Sequence, residues 1–132
     1  MSNANPPPPP PRPTDSELAI MRVLWDRGPS TVREVLDAVN SRRDQPLAYT
    51  TVLRFFQIMT EKRLVVRQEG ERGHVYQPSA PAEQTKKRLV SDLMDRLFDG
   101  SAHQLVLQAL GSQKVSPDEI REIRKLLDEL EP

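Results

Sequence analysis

The segment from residue 31 to residue 76 constrains the fold of this chain more than any other part of the sequence. It begins with Thr31 and, three residues later, Glu34, which is the capping-box pattern at the start of a helix. A longer helical pattern follows over residues 49–62. Two short β-type runs come next, and the residues between them, 69–73, contain two glycines that permit the positive φ of a turn. This order predicts two helices followed by a β-hairpin.

The helix predicted over residues 49–62 has two distinct faces. One face is apolar at helical spacing and should point into the core; it comprises Val52, Phe55, Phe56 and Met59. The opposite face is polar and available; it comprises Thr50, Arg54, Gln57 and Glu61. The predicted strands, 64–68 and 74–77, are too lightly apolar to be stable alone, so the hairpin should pack on the helices as a wing. Two helices with such a wing are typical of a DNA-binding winged helix-turn-helix domain.

Further helices flank this segment. Thr14 and Glu17 form a capping box for a helix over residues 15–27, which Gly28 and Pro29 end, and whose Trp25 is expected in the core. After the hairpin, start and stop signals predict helices at 82–98, 102–110 and 117–130. The predicted fold class is therefore mainly α with a small β-hairpin: a winged helix-turn-helix domain followed by a three-helix dimerisation domain.

The sequence predicts three parts. Residues 1–13 form a proline-rich leader, which should be extended polyproline II without a packed core. Residues 14–78 form the winged-helix DNA-binding domain. Residues 79–132 form the helical dimerisation domain, and Pro78 and Pro81 mark the boundary.

Charge is distributed unevenly along the chain. The 132 residues include 19 basic and 19 acidic side chains, so the net charge of zero announces neither nucleic acid nor membrane. Residues 42–72, however, contain seven basic and four acidic side chains, whereas residues 114–131 contain four basic and six acidic ones. This asymmetry indicates that DNA binds to the first domain, because lysine and arginine side chains neutralise phosphate charges.

The composition excludes several functional classes. Cysteine is absent, which removes disulfide frameworks, thiolate metal sites and thiol nucleophiles. The two histidines, His74 and His103, have no partners at a repeated metal-ligand spacing, and no phosphate-binding or nucleophile motif occurs. We therefore expect no enzymatic activity, no cofactor and no metal. No apolar run approaches the roughly 18 residues of a membrane span, so we expect a cytoplasmic protein without membrane insertion.

The polar face of the second predicted helix suits base readout. The Arg54 guanidinium can donate two hydrogen bonds to a guanine, and Thr50 and Thr51 near the helix start can offer hydroxyls to phosphate or base. The alternative is that these residues only solvate a surface helix. The preceding helix and the following wing argue against it, since the docking geometry needs all three.

The three C-terminal helices carry apolar stripes that a single short domain cannot easily bury. We expect them to pack against a second copy of the chain. The alternative is that they pack back on the N-terminal domain. The predicted dimerisation residues are Leu89, Leu93, Leu97, Leu105, Val106, Leu110, Ile120, Ile123, Leu127 and Leu130.

With these residues assembled, the sequence resembles the penicillinase repressor family of bacterial winged-helix regulators over residues 14–130. The resemblance rests on four strings: LAIMRVLW (18–25), TVREV (31–35), AYTTVLRFFQIMTEKRLV (48–65) and LFDGSAHQLVLQAL (97–110). It implies a homodimer whose N-terminal domain reads operator DNA and whose C-terminal domain pairs the subunits. Two-fold symmetry would make the operator an inverted repeat in double-stranded DNA, and repression would follow from blocking polymerase at a promoter.

The resemblance also assigns residues by position. The DNA-contacting helix of the family corresponds to residues 49–61, and the preceding cap and the wing would approach phosphates. The DNA contacts implied in this way are Thr31, Arg33, Tyr49, Thr50, Thr51, Arg54, Gln57, Arg67, Arg72 and His74.

Three departures from the family pattern matter. Family members usually have glycine where Arg63 stands, so this residue must adopt a left-handed turn or shift the helix end. The β-lactam-responsive members are cut at an Asn-Phe bond, which matches Gln108 and Ala109 here, so a protease of the same preference is not expected to cut. A membrane sensor and protease system remains open as a partner. The cysteines of copper-responsive relatives are absent, which excludes copper sensing of that kind.

Two hypotheses follow. The leading one is a transcriptional repressor that binds a palindromic operator as a homodimer and is released by proteolysis or another signal on the C-terminal domain. The alternative is a winged-helix protein–protein interaction module without sequence-specific DNA readout, which the zero net charge allows. Binding that is insensitive to salt would favour the alternative.

Overall fold

The protein is described from a computed structural model, which covers residues 11–112 and 114–131. The expectation for the leader therefore lies, over residues 1–10, outside the described residues. The chain divides into two compact units after Lys87, inside a helix, and the domain boundary predicted after Pro78 stays a prediction. The elements in chain order are α1 (Asp15–Arg27), α2 (Val32–Asn40), α3 (Tyr49–Glu61), β1 (Val65–Gly70), β2 (Gly73–Pro78), α4 (Ala82–Leu97), α5 (Ala102–Ser112) and α6 (Pro117–Leu130).

Side-chain caps start the first two helices where the sequence predicts them. The Thr14 hydroxyl accepts a hydrogen bond from the Glu17 N–H at 3.2 Å, and the Glu17 carboxylate accepts one from the Thr14 N–H at 2.8 Å. Thr31 and Glu34 repeat the arrangement at 3.1 and 3.2 Å. Ser116 caps α6 in the same position. The helices predicted to start at these caps are confirmed. They could be predicted because each cap joins residues only three positions apart.

The hydrophobic core of the first unit lies where α1, α2, α3 and the hairpin meet. Its buried side chains are Ile20, Met21, Leu24, Val32, Val35, Leu36, Val52, Phe56, Met59, Leu64, Val65 and Tyr76. The rings of Phe56 and Tyr76 stack with centroids 4.3 Å apart. Trp25 and Phe55, which were also predicted for the core, are only half-buried at its edge. The reason for Trp25 is that its indole N–H donates to the Ala80 carbonyl at 3.0 Å.

The hairpin is tighter than the sequence predicts. β1 and β2 pair antiparallel up to Gly70 opposite Gly73, which leaves a two-residue turn instead of the predicted loop over residues 69–73. Of the two glycines, only Gly73 adopts a positive φ, of 106°. Gly70 is needed for another reason: a Cβ there would lie 3.0 Å from the Gly73 carbonyl oxygen and from a methyl group of Val75.

A backbone bridge that the sequence did not predict holds the hairpin to the helices. The Ser30 N–H donates to the Tyr76 carbonyl at 3.1 Å, and the Tyr76 N–H donates to the Ser30 carbonyl at 2.8 Å. Ser30 directly precedes the capped start of α2. The position of the wing is therefore tied to the position of α2.

The structure decides between the two outcomes predicted for Arg63, which stands where family members usually have glycine. It adopts a left-handed φ of 63°, while α3 ends at Glu61 and Lys62 is its C-cap residue. The Leu64 N–H donates to the Met59 carbonyl at 2.9 Å, which completes a Schellman-type helix end. The left-handed turn forms despite the missing glycine, because these hydrogen bonds and the burial of Leu64 stabilise it.

The second unit begins at Arg88 and consists of the rest of α4 with α5 and α6. None of the side chains described in these three helices is buried. Leu97, Leu127 and Leu130 are exposed to 69%, 58% and 72%. None of the described helices is long and apolar enough to cross a membrane.

Candidate nucleic-acid interface

The outer face of α3 is a continuous polar surface, as the sequence predicts. Thr50, Thr51, Arg54 and Gln57 are exposed, and the neighbouring Tyr49 is exposed to 44%. Val52, Phe56 and Met59 on the opposite side are fully buried and anchor the helix. Since three core side chains fix α3 from below, its polar face is held rigidly toward solvent. A rigid exposed helix of this kind suits insertion into a DNA groove.

The start of α3 differs from the starts of α1 and α2. Ala48 occupies its N-cap position, and no side chain among the described residues caps the helix. The first turns of α1 and α2 instead carry the carboxylates of Glu17 and Glu34. The positive end of the α3 dipole is therefore open to an anion, whereas those of α1 and α2 are already satisfied.

The Arg54 guanidinium has neither a hydrogen bond nor an ion pair with any residue that the structure describes. Its donors are consequently free for a base edge or a phosphate. Gln57 lies one turn further along the same face and also lines a groove of about 610 Å³ between α3 and the hairpin, together with Arg67. The groove brings the helix face and the wing together on one surface.

The wing residues predicted to approach phosphates are all exposed but not all equally available. Arg67 is exposed, and the Arg72 side chain at the tip is exposed to 80%. The Arg72 guanidinium lies 3.9 Å from the Glu34 carboxylate. The His74 Nε2 lies 2.9 Å from a carboxylate oxygen of Glu69 on the paired strand. Arg72 and His74 therefore each have an acidic neighbour that a phosphate would have to displace.

The predicted contacts at the start of α2 lie in an acidic setting. The Thr31 side chain is half-buried and accepts from the Glu34 N–H, while Arg33 is exposed beside it. Hydrogen bonds from the Thr31 backbone and hydroxyl, followed by the charges of Arg72 and Arg27, lower the pKa of Glu34. A carboxylate that stays ionised at this helix start disfavours a phosphate there. Thr31 is the structural cap of α2, and its DNA contact stays a prediction.

A buried ion pair at the far end of α3 was not found from the sequence. Lys62 donates to both carboxylate oxygens of Glu17, at 2.9 and 3.1 Å. Burial by itself raises the pKa of Glu17, but the hydrogen bond from the Thr14 backbone and the Lys62 ammonium outweigh it and lower the pKa. The capping-box pattern had assigned Glu17 only a local role, and no sequence signal linked it to a residue 45 positions away.

The residues of the predicted dimer surface and cleavage position lie in the second unit. Leu89, Leu105, Ile120 and Ile123 are half-buried, and the remaining predicted dimerisation residues are exposed: Leu93, Leu97, Val106, Leu110, Leu127 and Leu130. Gln108 and Ala109 are exposed within α5, and the Gln108 carbonyl accepts a hydrogen bond from the Ser112 hydroxyl at 2.7 Å. The peptide bond between Gln108 and Ala109 therefore lies within helix α5.

A family model described as penicillinase repressor matches residues 13–129. The chain belongs to the penicillinase repressor family. The transcriptional regulator BlaI of Mycobacterium tuberculosis is 36% identical over 118 residues, which cover 89% of this chain and 83% of that protein. The penicillinase repressor of Bacillus licheniformis is 25% identical over 117 residues, 88% of this chain and 89% of the relative. The penicillinase repressor of Staphylococcus aureus is 18% identical over 115 residues, 87% and 90%.

Membership of the penicillinase repressor family confirms the resemblance and the fold class predicted from the sequence. It also makes the chain a DNA-binding transcriptional repressor and not an enzyme. Within the residues that the structure describes, no group of three or more acidic or histidine side chains could hold a metal ion.

Proposed function

We propose that this repressor binds an inverted-repeat operator as a homodimer, with α3 of each subunit in the major groove. The observation that carries the proposal is the exposed polar face of α3, anchored by buried side chains on its opposite side and lying beside an exposed wing. Arg54 is the base reader, because its guanidinium, which has no partner among the described residues, can hydrogen-bond both acceptors of a guanine. Thr50 and Thr51 contact the adjacent base or phosphate, and Gln57 reads further along the groove.

Phosphate contacts position the domain without carrying sequence information. We assign them to Tyr49 and the open N-terminus of α3 on one side, and to Arg67 and Arg72 of the wing on the other. His74 and Arg33 are secondary contacts, because the Glu69 carboxylate lies 2.9 Å from His74 and Arg33 directly precedes the ionised Glu34 in the chain. Glu34 also lies 3.9 Å from Arg72, so a phosphate at Arg72 must displace that carboxylate. Arg67 and Arg72 belong to the seven basic residues between positions 42 and 72.

The proposed homodimer forms through the second unit. A unit of about 45 residues with no buried side chain in its described helices has too little core to be stable by itself. Pairing with a second copy would bury Leu97, Leu127 and Leu130 in one step. Because the resulting symmetry is two-fold, two recognition helices would address two half-sites of one operator.

Release from DNA would follow an event on the second unit. The family resemblance names cleavage as one such event, with Gln108 and Ala109 at the matching position and a membrane sensor and protease as partners. A protease needs an extended strand, whereas this bond lies in α5, so cleavage would require local unwinding. Because the proposed ligand is chromosomal DNA, we place the protein in the cytoplasm.

Selection of bound sequences from a random duplex library tests the proposal, with the full-length protein near physiological salt. The expected result is an enriched inverted repeat with half-sites about one helical turn apart or a multiple of it. Enrichment of a single half-site would argue against the dimer. Weak, strongly salt-dependent binding without enrichment would contradict sequence readout and favour an interaction module.

A further inference from the structure

The buried ion pair between Glu17 and Lys62 joins the beginning of the first helix to the end of the recognition helix. The Glu17 side chain is exposed to only 2%, and that of Lys62 to 26%. One Glu17 oxygen is shared between the Thr14 N–H at 2.8 Å and the Lys62 ammonium at 2.9 Å. If the ammonium were removed, the buried Glu17 carboxylate would keep the Thr14 N–H as a donor but would lose its opposite charge. A buried charge without an opposite charge strongly destabilises the fold.

Lys62 occupies the junction between the two surfaces that face DNA. It is the C-cap residue of α3, and the left-handed Arg63 and the buried Leu64 follow before β1 begins. Any shift of Lys62 would therefore move the end of α3 and the start of the wing together. Since α1 packs mainly against α2 and β2, and α3 mainly against α2 and β1, this ion pair is a direct tie between α1 and α3.

We infer that Glu17 and Lys62 are positioning residues for operator discrimination: the pair sets the angle between the recognition helix and the wing. The inference rests on the proposed DNA readout. Neither side chain is placed to contact DNA itself, because Glu17 is buried and the Lys62 ammonium is engaged by both Glu17 oxygens. The pair acts through the geometry of Arg54 on one side and of the wing on the other, and discrimination depends on both being in register.

The test compares matched variants of the full-length chain. Lys62→Met removes the ammonium, and Glu17→Gln is a milder change that keeps an acceptor for the Thr14 cap. Lys62→Arg preserves the positive charge and should retain the pair. Lys86→Met is the control, because it makes the same substitution in an exposed ion pair with Glu83. Circular dichroism gives the folded fraction of each variant, and only the folded fraction is compared.

The readout is the ratio of affinities for the selected operator and a scrambled duplex at fixed salt. We expect Lys62→Met and Glu17→Gln to lower this ratio about tenfold or more, while Lys62→Arg and Lys86→Met stay within about threefold of the original chain. The salt dependence of binding to the scrambled duplex should stay the same. A folded Lys62→Met protein with the original ratio would overturn the inference. So would a salt slope reduced by about one, because that marks a lost phosphate contact.

A measurement without DNA separates this inference from the proposed function. If the original chain does not discriminate between duplexes, sequence readout fails, but hydrogen exchange at the Arg63 and Leu64 amides still reports on the junction. We expect these amides to exchange about tenfold faster in Lys62→Met, relative to the amide of Val35 in α2. Unchanged exchange there would overturn the positioning role.

Discussion

The two compact units of this repressor bury their apolar side chains to very different extents. Among the residues that the structure describes, the first unit has twelve buried hydrophobic side chains, drawn from three helices, the hairpin and Leu64 directly before it. The second unit has apolar stripes of similar length, yet the structure describes no buried side chain in its helices. A helix pattern alone therefore does not distinguish a unit that is complete within one chain from a unit that needs a partner.

This difference has a thermodynamic meaning. Folding of the first unit should be independent of protein concentration, because all of its stabilising contacts lie within one chain. Folding of the second unit should depend on concentration if a second copy supplies the missing contacts. A substitution that destabilises the first unit should therefore have the same effect at every protein concentration. One that destabilises the second unit should have a larger effect on dilution.

The largest expected effect is on the core of the first unit. Phe56→Ala should lower the free energy of unfolding by about 3 to 5 kcal/mol, because a fully buried ring that stacks on Tyr76 leaves a cavity. Urea denaturation followed by Trp25 fluorescence measures the change. Tyr49→Ala, which removes a partly exposed ring, should cost under about 1 kcal/mol. A loss for Phe56→Ala that grows on dilution would contradict the self-sufficiency of this unit.

The next effect tests the second unit. Leu127→Asp should weaken dimerisation by about 3 kcal/mol, roughly a hundredfold, because it places a charge in the proposed interface. Sedimentation equilibrium measures the dissociation constant. Lys125→Asp introduces the same carboxylate on the opposite side of α6 and should leave the constant nearly unchanged. Equal effects of the two substitutions would show that the stripe is not the contact surface.

Base recognition should be separable from the stability of the fold and from the stability of the dimer. Arg54→Ala should weaken binding to the selected operator by about 1 to 3 kcal/mol and relax the base preference at one position of each half-site. The exposed guanidinium has no intramolecular partner among the described residues, so unfolding and dimerisation should not change. Competition with operators substituted base by base measures the preference. An unaltered preference would remove Arg54 from the set of base readers.

The smallest expected effect is on the stability of the first unit at acidic pH. Because the folded state lowers the pKa of Glu17 below its ordinary value of 4.5, the stabilisation is complete above that value and is lost as the pH falls through the folded pKa. The first unit should therefore lose stability below about pH 4.5, and Glu17→Gln should flatten this part of the profile. Denaturation midpoints from pH 3 to 7, followed by Trp25 fluorescence, measure the slope. Identical slopes would mean that other carboxylates control acid unfolding.

Local signals in the sequence were sufficient for the helices. The capping boxes at Thr14 and Thr31 involve hydrogen bonds across three residues, so the pattern itself contains both partners. The exposed face of α3 followed from periodicity for the same reason. Arg63 was an intermediate case: its glycine-like conformation was one of two outcomes predicted, and only the tertiary contacts of Leu64 select between them.

Contacts between distant residues could not be predicted. The Ser30–Tyr76 bridge uses backbone groups, which leave no trace in residue type. The ion pair between Glu17 and Lys62 uses common residues, and nothing in their spacing indicates that the fold brings them together. The same holds for Glu34, whose competition with DNA for Arg72 depends on where the wing tip lies. The part of the site that follows from the helix pattern was predictable, and its electrostatic surroundings were not.

Trp25 is the only tryptophan of the chain, and its indole N–H donates to the carbonyl of Ala80, which lies between β2 and α4. The intrinsic fluorescence of the protein is therefore a built-in spectroscopic probe of the segment that leaves the wing. If DNA binding or an inducing signal moves that segment, the hydrogen bond breaks and the emission shifts to longer wavelength. The protein thus reports on this connection without an attached dye.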